Sequence, residues 1–240
     1  MSPGTATSSR TASSPALAED GWLAVRFGHP VYTVRDPEAV GPDDLRARGT
    51  YQAKVPASRP DLVARLEDAG MRVVNISVTL GRAPASIGPA TGTVRTLDPS
   101  ADEALLAVAE RSFTHTRFHL DPGIPDAVAN RIKRDWVESY LTGTRGEELL
   151  VAEADGTPVG FLAVLRREAT RIIDLIAVDP AHQGRGLGRD LVARFMRDSE
   201  GACERVQVGT QAANLGAIRF YERLGYVVDE TAYDLHLHVS

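Results

Sequence analysis

Apolar and polar positions in the second half of the chain follow the two periods of a mixed α/β protein. Residues 124–140 carry apolar side chains at every fourth position, which predicts a helix. Two apolar runs flank Asp155-Gly156 and predict a β-hairpin. From residue 172 onward the pattern reads strand, helix, strand, helix, strand. That order favours a mixed sheet with helices on both faces.

The first half of the chain is patterned differently. Residues 1–19 are mostly Ser, Thr, Ala, Pro and Gly, so they lack the apolar surface that would offset the entropy of ordering, and we expect a disordered tail. Residues 51–80 predict strand, helix and strand, while residues 81–92, rich in Gly and Pro, predict a linker. We therefore expect an N-terminal half-domain over residues 20–80 and a larger domain over residues 93–240.

Composition narrows the class of protein. The 240 residues are 43% hydrophobic and 25% charged, and the net charge of −5 argues against a broad basic face for nucleic acid. No apolar run approaches the roughly 18 to 20 residues that span a bilayer, and no signal peptide is evident. The single cysteine, Cys203, excludes an intramolecular disulfide framework and a multi-cysteine zinc site. We expect a cytoplasmic protein whose partners are neither nucleic acid nor membrane.

The most informative segment is the loop that follows the strand predicted at residues 172–178. Gly184, Gly186 and Gly188 alternate where the next helix begins. Alternate glycines let the backbone approach a ligand closely, and the free N–H groups of a helix start favour an anion. Arg185 and Arg189 add positive charge, so a phosphate or pyrophosphate is the expected ligand.

The spacing in this loop excludes two familiar phosphate sites. A P-loop requires Gly-Lys-Ser/Thr, whereas Gly188 is followed by Arg189. A dinucleotide fingerprint requires G-x-G-x-x-G, and counting from Gly184 places Arg189 at the third glycine. A glycine-rich turn without a ligand is the alternative, and the strand, helix and two arginines in register argue against it.

Two motifs occur in this region in the order and at the separation typical of one enzyme superfamily: Gln183-Gly184-Arg185-Gly186-Leu187-Gly188, and Asn214, Ala217, Tyr221 with Leu224-Gly225-Tyr226. On these residues the chain resembles the GNAT acetyltransferases, whose acyl-CoA motif is Q/R-x-x-G-x-G/A. The resemblance implies the GNAT acyl-CoA acyltransferase fold, a mixed central sheet flanked by helices. It also implies acetyl-CoA as co-substrate and no metal.

Other segments resemble one subgroup of that superfamily, the dTDP-fucosamine acetyltransferases: residues 51–58, 112–118, 136–143, 209–211 and 231–233. The similarity covers roughly residues 20–238 and includes a truncated N-terminal GNAT-like half-domain. It implies acetylation of the amine of a dTDP-4-amino-4,6-dideoxy sugar by direct attack in a ternary complex. The partner would be a small sugar nucleotide, and a homodimer stays open.

The resemblance also assigns residues to the co-substrate. The backbone of Ile176, Ala177 and Val178 should meet the pantetheine arm of CoA. The loop from Gln183 to Arg189 should hold the pyrophosphate. Asn214 should contact the CoA arm from the next helix.

Tyr221 is the expected general acid. Its reference pKa of about 10 exceeds the value of about 8.5 for a thiol, so it can donate a hydrogen bond to the departing thiolate. A core tyrosine is the alternative, which the spacing from Asn214 opposes. The base is less evident, because Ile172 stands where many superfamily members carry Glu. Asp174, two residues on, is the candidate base or water-orienting group, with a surface ion pair as the alternative.

A polar and aromatic cluster lies between the first two helices of the larger domain: His115, Arg117, Phe118 and His119. In the superfamily this connection borders the acceptor pocket, where His and Arg could meet phosphates and Phe could stack on a ring. A solvated helix end is the alternative. A metal site is weaker, because two histidines four apart bring no further ligands.

Two other functions stay open. One is a GNAT acetyltransferase for another amine, such as an antibiotic, a polyamine or a protein N-terminus. The other is a CoA-binding module without turnover, which the absent Glu favours and Tyr221 opposes.

Overall fold

The computed structural model describes residues 15–96 and 102–240, which fall into two compact units. Unit 1 contains the described residues up to Val74 together with Ala232–Ser240, and unit 2 is Asn75–Thr231. The boundary therefore differs from the one expected near residue 80, and the end of the last strand joins the first unit. It lies inside a strand, where the alternation of side chains continues, so the sequence pattern carries no sign of it.

Unit 1 is a small sheet with two helices. Its elements are β1 (Leu17–Glu19), α1 (Gly21–Phe27), β2 (Val31–Val34), β3 (Gly49–Pro56), α2 (Pro60–Asp68), the start of β4 (Arg72–Arg82) and the end of β10 (Val227–Val239). β2 pairs antiparallel with β1 and parallel with β3, and β3 pairs antiparallel with β10. Leu17–Glu19, expected in a disordered tail, are paired in β1, and the tail's residues 1–14 lie outside the described residues.

Unit 2 holds the elements that carry the predicted site. They are the rest of β4, β5 (Val94–Thr96), α3 (Glu103–Arg111), α4 (Asp126–Leu141), β6 (Glu148–Ala154), β7 (Thr157–Arg167), β8 (Thr170–Val178), α5 (Leu187–Ser199), β9 (Arg205–Gln211) and α6 (Leu215–Arg223). The strand order is β4-β9-β8-β7-β6-β5, parallel only between β8 and β9. One core packs α3 and α4 on the sheet and another packs α5 and α6, which confirms the predicted α/β class.

A bulge in β8 creates the gap in which the site lies. Ala163 pairs with Leu175 and Val164 with Ile173, so Asp174 is an extra residue in the ladder. Ile173 packs with the core under α5, whereas Leu175 packs with the core under α3 and α4. The pairing of β8 with β9 ends at Ile173 and Val208. Beyond the bulge, the end of β8 therefore has no strand neighbour on that side among the described residues.

The segment predicted as a linker is fastened to the first turn of α5. Arg189 donates to the carbonyl oxygens of Ile87 at 2.7 Å and Pro89 at 3.0 Å. The buried carboxylate of Asp190 accepts from the backbone N–H groups of Thr91 at 3.0 Å and Gly92 at 2.8 Å. Glycine and proline content indicated irregular backbone correctly, but it carries no information about distant side chains that bind it.

No helix within the described ranges is long and apolar enough to cross a membrane.

Candidate active site

Two cavities adjoin in unit 2. The loop cavity, of about 590 Å³, lies among the glycine loop, the end of β8 and α6. The inner cavity, of about 210 Å³, lies between the diverging ends of β8 and β9 and is closed by the α3–α4 connection. Four residues belong to the lining of both cavities: Ser112, Ile176, Ala217 and Tyr221. A molecule that enters from the loop cavity reaches the inner cavity at these side chains.

The glycine loop has the shape that an anion site requires. Gly184 and Gly186 have φ of 77° and 87°, and no other atom lies within 4 Å of where a Cβ would stand at either. Gly186 begins α5 without a side-chain cap, so the first N–H groups of that helix are open to a ligand. Gln183 donates to the carbonyl oxygen of Val178 at 3.0 Å and holds the loop against the end of β8.

The two arginines of this loop, Arg185 and Arg189, donate hydrogen bonds to different parts of the backbone. Arg185 reaches the carbonyl oxygen of Ala181 at 3.4 Å. Arg189 lines the loop cavity, but its guanidinium donates to the carbonyls of residues 87 and 89 rather than lying open to a phosphate. Its positive charge stays beside the cavity, while its hydrogen bonds serve the fold.

Tyr221 lies at the junction of the cavities. It is 2% exposed, and its hydroxyl has no hydrogen-bond partner among the residues that the structure describes. Burial raises the pKa of Tyr221, and the neighbouring Tyr226 adds to the rise. The Tyr221 ring meets Tyr226 and Phe220 edge-on, with centroids 5.3 Å and 5.1 Å apart, which fixes its direction.

Ser112, which sequence reasoning missed, lies at the same junction. It follows the last turn of α3, and its Oγ is buried with no hydrogen-bond partner in the described parts of the chain. A buried hydroxyl without a partner is costly, so a ligand atom is the natural partner here. The serine stands just before the polar cluster of the α3–α4 connection and carries no other signal in the sequence.

The carboxylate of Asp174 accepts hydrogen bonds from three side chains. Its carboxylate accepts from Trp136 Nε1 at 2.9 Å, from the Tyr140 hydroxyl at 2.7 Å, and from Arg145 Nε at 2.8 Å and Nη2 at 3.2 Å. Burial alone would raise the pKa of Asp174, but the Arg145 contacts and the other donors outweigh it and lower that pKa. A carboxylate held ionised in this way has little affinity for a further proton, and at 12% exposure it is no surface pair.

Lys133 is the second residue that sequence reasoning missed. It is 7% exposed and lines the inner cavity from α4. Its Nζ lies 4.6 Å, 5.4 Å and 5.9 Å from the ring centroids of Trp136, Phe113 and Phe118. Burial lowers the pKa of Lys133 to about 7. The available signal was its position on the buried face of a helix, four residues after Ala129.

The structure brings one member of the predicted substrate cluster to the inner cavity. His115 lines it, whereas Phe118 is buried at 2% exposure and Arg117 lies over that ring. The ring nitrogens of His119 lie 2.6 Å from Thr116 Oγ1 and 2.9 Å from the Asn130 side-chain oxygen. Arg117, Phe118 and His119 therefore stabilise the α3–α4 connection, and their contacts are with protein groups.

The residues expected along the CoA arm divide between the cavities. Ala177 and Val178 line the loop cavity, and Ile176 lines both. Asn214 lines the inner cavity instead, and its side-chain oxygen caps α6 by accepting from Ala217 N–H at 3.1 Å. The arrangement can therefore hold an anionic chain in one cavity and a second molecule in the other, with Tyr221 between them.

The sequence of this chain is similar to a family of acetyltransferases and to two bacterial proteins. Residues 110–226 match the model of the acetyltransferase (GNAT) family. The spore coat polysaccharide biosynthesis protein SpsD of Bacillus subtilis is 35% identical over 141 residues, 58% of this chain and about half, 48%, of SpsD. The dTDP-fucosamine acetyltransferase of Escherichia coli is 28% identical over 198 residues, 81% of this chain and 84% of that protein.

Solved structures share the fold. A GCN5-related N-acetyltransferase from Kribbella flavida superposes with a TM-score of 0.58 at 19% identity, covering 92% of this chain and 86% of that one. At this identity the likeness concerns the fold alone. It confirms the architecture that the sequence resemblance implied.

Proposed function

We propose that this chain, whose residues 110–226 match the acetyltransferase (GNAT) family model, moves the acetyl group of acetyl-CoA to the amine of a dTDP-4-amino-4,6-dideoxy sugar. The observation that carries the proposal is Tyr221, which faces both cavities at their junction. Similarity to the dTDP-fucosamine acetyltransferase over most of both chains supports the choice of acceptor.

The loop cavity has the donor set that acetyl-CoA requires. Acetyl-CoA supplies the reactive thioester and a diphosphate. The free N–H groups at the start of α5 and the open loop around Gly184 and Gly186 would hold the diphosphate. The edge of β8 that faces away from β7, at Ile176 and Val178, would offer the backbone groups that bind the amides of the CoA arm.

The inner cavity would take the acceptor. At about 210 Å³ it is smaller than the roughly 300–1,000 Å³ that drug-sized ligands occupy. It would therefore receive the amine-bearing sugar ring, leaving the nucleotide outside. His115 is exposed and lines this cavity, where a charged nucleotide would pass.

Two side chains at the junction would assist the transfer. Tyr221 would donate its proton towards the sulfur as the carbon–sulfur bond breaks. Its raised pKa keeps that proton on the oxygen at every working pH. Ser112 would donate its unused hydrogen bond to the carbonyl oxygen, where negative charge develops. Asp174 would position Trp136 and Tyr140 rather than move a proton.

The Gly184→Ala variant should bind acetyl-CoA about tenfold more weakly, because the left-handed backbone costs an alanine about 1–2 kcal/mol and the added methyl faces the loop cavity. Isothermal titration with acetyl-CoA measures this. Gly201→Ala is the matched control, since Gly201 has φ of 73° with no other atom within 4 Å of its Cβ position and lines neither cavity. Equal binding by the two variants would contradict the assignment of the loop.

A panel of amines with acetyl-CoA, read by product mass, tests the acceptor. We expect one added acetyl group on a dTDP-4-amino-4,6-dideoxy sugar, and none on an aminoglycoside, a polyamine or a peptide N-terminus. Transfer to one of those amines instead would keep the chemistry and change the acceptor. Tight binding of CoA with no thiol released by any amine would identify a CoA-binding module without turnover.

A further inference from the structure

We propose that Lys133 is the proton acceptor for the attacking amine in the inner cavity. The proposal rests on the acetyl transfer proposed above and assigns the base of that reaction. It concerns a side chain that makes no hydrogen bond or ion pair within the described parts of the chain.

The choice of lysine at this position is unusual for this chain. Lys54 and Lys133 are the two lysines of the whole sequence, and all other cationic positions among the 27 Lys and Arg are arginines. Arginine stays charged in proteins, whereas lysine readily loses its proton when it is buried. Lys54 is exposed on β3, so the one buried lysine is the one that lines a cavity.

No hydrogen bond or ion pair to a described residue accounts for Lys133 at this position. It lies on the inward face of α4 between Ala129 and Val137, both fully buried. Among the described residues no acceptor lies within hydrogen-bond or ion-pair distance of its Nζ. The same small cavity is lined by Tyr221, so the ammonium or amine of Lys133 shares a space with the reacting atoms.

The groups around Lys133 permit both of its protonation states. Burial, the largest cause, acts together with Arg117 from the α3–α4 connection and Arg145 beyond α4 to lower its pKa to about 7, and Asp174 on β8 opposes them. Three aromatic rings face the nitrogen and stabilise the charged form once it exists. His115 and Tyr221 are the other titratable groups of the cavity. A base with a pKa close to neutral is the kind that catalyses most effectively at pH 7.

Lys133 and Tyr221 together account for the protons that move during the acetyl transfer. The neutral amine attacks the thioester carbon, a carbon–nitrogen bond forms, and the carbon–sulfur electron pair leaves with sulfur. Lys133 Nζ accepts the proton that nitrogen then carries in excess, and Tyr221 gives its proton to the sulfur. The Lys133 ammonium returns a proton through solvent to the Tyr221 oxygen, so the products are the amide and free CoA thiol.

Two variants separate a base from a fixed positive charge. Lys133→Met keeps an unbranched chain that the aromatic rings accept, and Lys133→Arg keeps the charge but cannot lose its proton. At pH 7 we expect both to lower kcat/KM for the acceptor by about 10²- to 10⁴-fold with unchanged KM for acetyl-CoA. Both should also lose the rise in rate near pH 7. Lys54→Met, outside the site, should match the wild type.

Activity in Lys133→Arg close to that of the wild type would overturn the proposal, because a charge alone would then suffice. Persistence of the rise near pH 7 in Lys133→Met would also overturn it, since the acceptor amine would then be the titrating group. A wild-type chain that binds acetyl-CoA but acetylates no amine would overturn the proposed function together with this inference. The outcomes therefore distinguish failure of the base from failure of the reaction.

A titration without acceptor provides a second readout. With isotope-labelled lysine, only two side-chain Cε signals are expected, and Lys54 serves as the internal reference. We expect the Lys133 signal to titrate near pH 7. A Lys133 signal that titrates near the ordinary lysine value of about 10.4 would overturn the proposal even if the variants are inactive.

The dependence of thermal stability on pH shows whether Lys133→Met is folded. Between the folded and unfolded pKa values of Lys133, the unfolded chain binds more protons, so the wild type gains stability as pH rises from 7 to about 10. Lys133→Met lacks this dependence. The Tm of the variant should therefore exceed that of the wild type at pH 6, and the difference should narrow towards pH 10.

Discussion

The Tyr221→Phe variant is expected to turn over about 10²- to 10⁴-fold more slowly than the wild type while binding acetyl-CoA with unchanged affinity. The phenol lies at the junction of the two cavities, where the thioester sulfur would leave. Phenylalanine preserves the packing against Phe220 and Tyr226 and removes only the hydroxyl. The loss should therefore fall on kcat, measured as the rate of thiol release at saturating acetyl-CoA.

Tyr226→Phe is the matched control for this change. Tyr226 is equally buried and its ring touches Tyr221, but it lines neither cavity, and its hydroxyl donates to the Met196 sulfur at 3.5 Å. Its turnover should stay close to that of the wild type. Because burial raises the pKa of Tyr221, kcat should also show no loss from Tyr221 ionisation up to about pH 10. Unchanged turnover in Tyr221→Phe would remove this residue from the mechanism.

Asp174→Ala should lower the free energy of unfolding by about 3 kcal/mol, near the lower end of the values for breaking a buried ion pair. The substitution leaves Arg145, whose side chain is 35% exposed, without its carboxylate and deprives Trp136 and Tyr140 of their acceptor. Denaturant unfolding at pH 7 measures the loss. Asp43→Ala, which breaks an ion pair exposed on both sides, should change stability by less than about 1 kcal/mol.

The pH dependence of this deficit has a definite sign. The pKa of Asp174 is lower in the folded chain than in the unfolded chain, so its stabilisation is full above about pH 4 and is lost as pH falls further. The difference between Asp174→Ala and the wild type should therefore shrink only in acid. A folded Asp174→Asn variant with wild-type stability and greatly reduced turnover would contradict the positioning role and favour the base instead.

The role of Asp174 could not be predicted from its neighbours in the chain. Strand periodicity places it on the face of Ile172, but the bulge makes it an extra residue in the ladder. Its donors come from Trp136, Tyr140 and Arg145, which lie 29 to 38 residues away in the sequence. A carboxylate on a strand predicts a base or an ion pair equally well, and only its partners decide between them.

Backbone and motif features were within reach of the sequence because they depend on residues close together in the chain. Gly184 and Gly186 adopt positive φ in the loop where the next helix begins, and Tyr221 lies on the helix that follows Asn214. Hydrophobic periods of two and four residues likewise determined the strand and helix order of unit 2.

The tertiary structure alone decided which charged side chains face the cavities. It ties Arg189 to a distant backbone segment, surrounds Asp174 with donors and leaves Lys133 buried at the inner cavity. The physical reason is that turn and helix preferences act between neighbours along the chain. Burial and charge pairing instead depend on residues that meet only when the chain has folded.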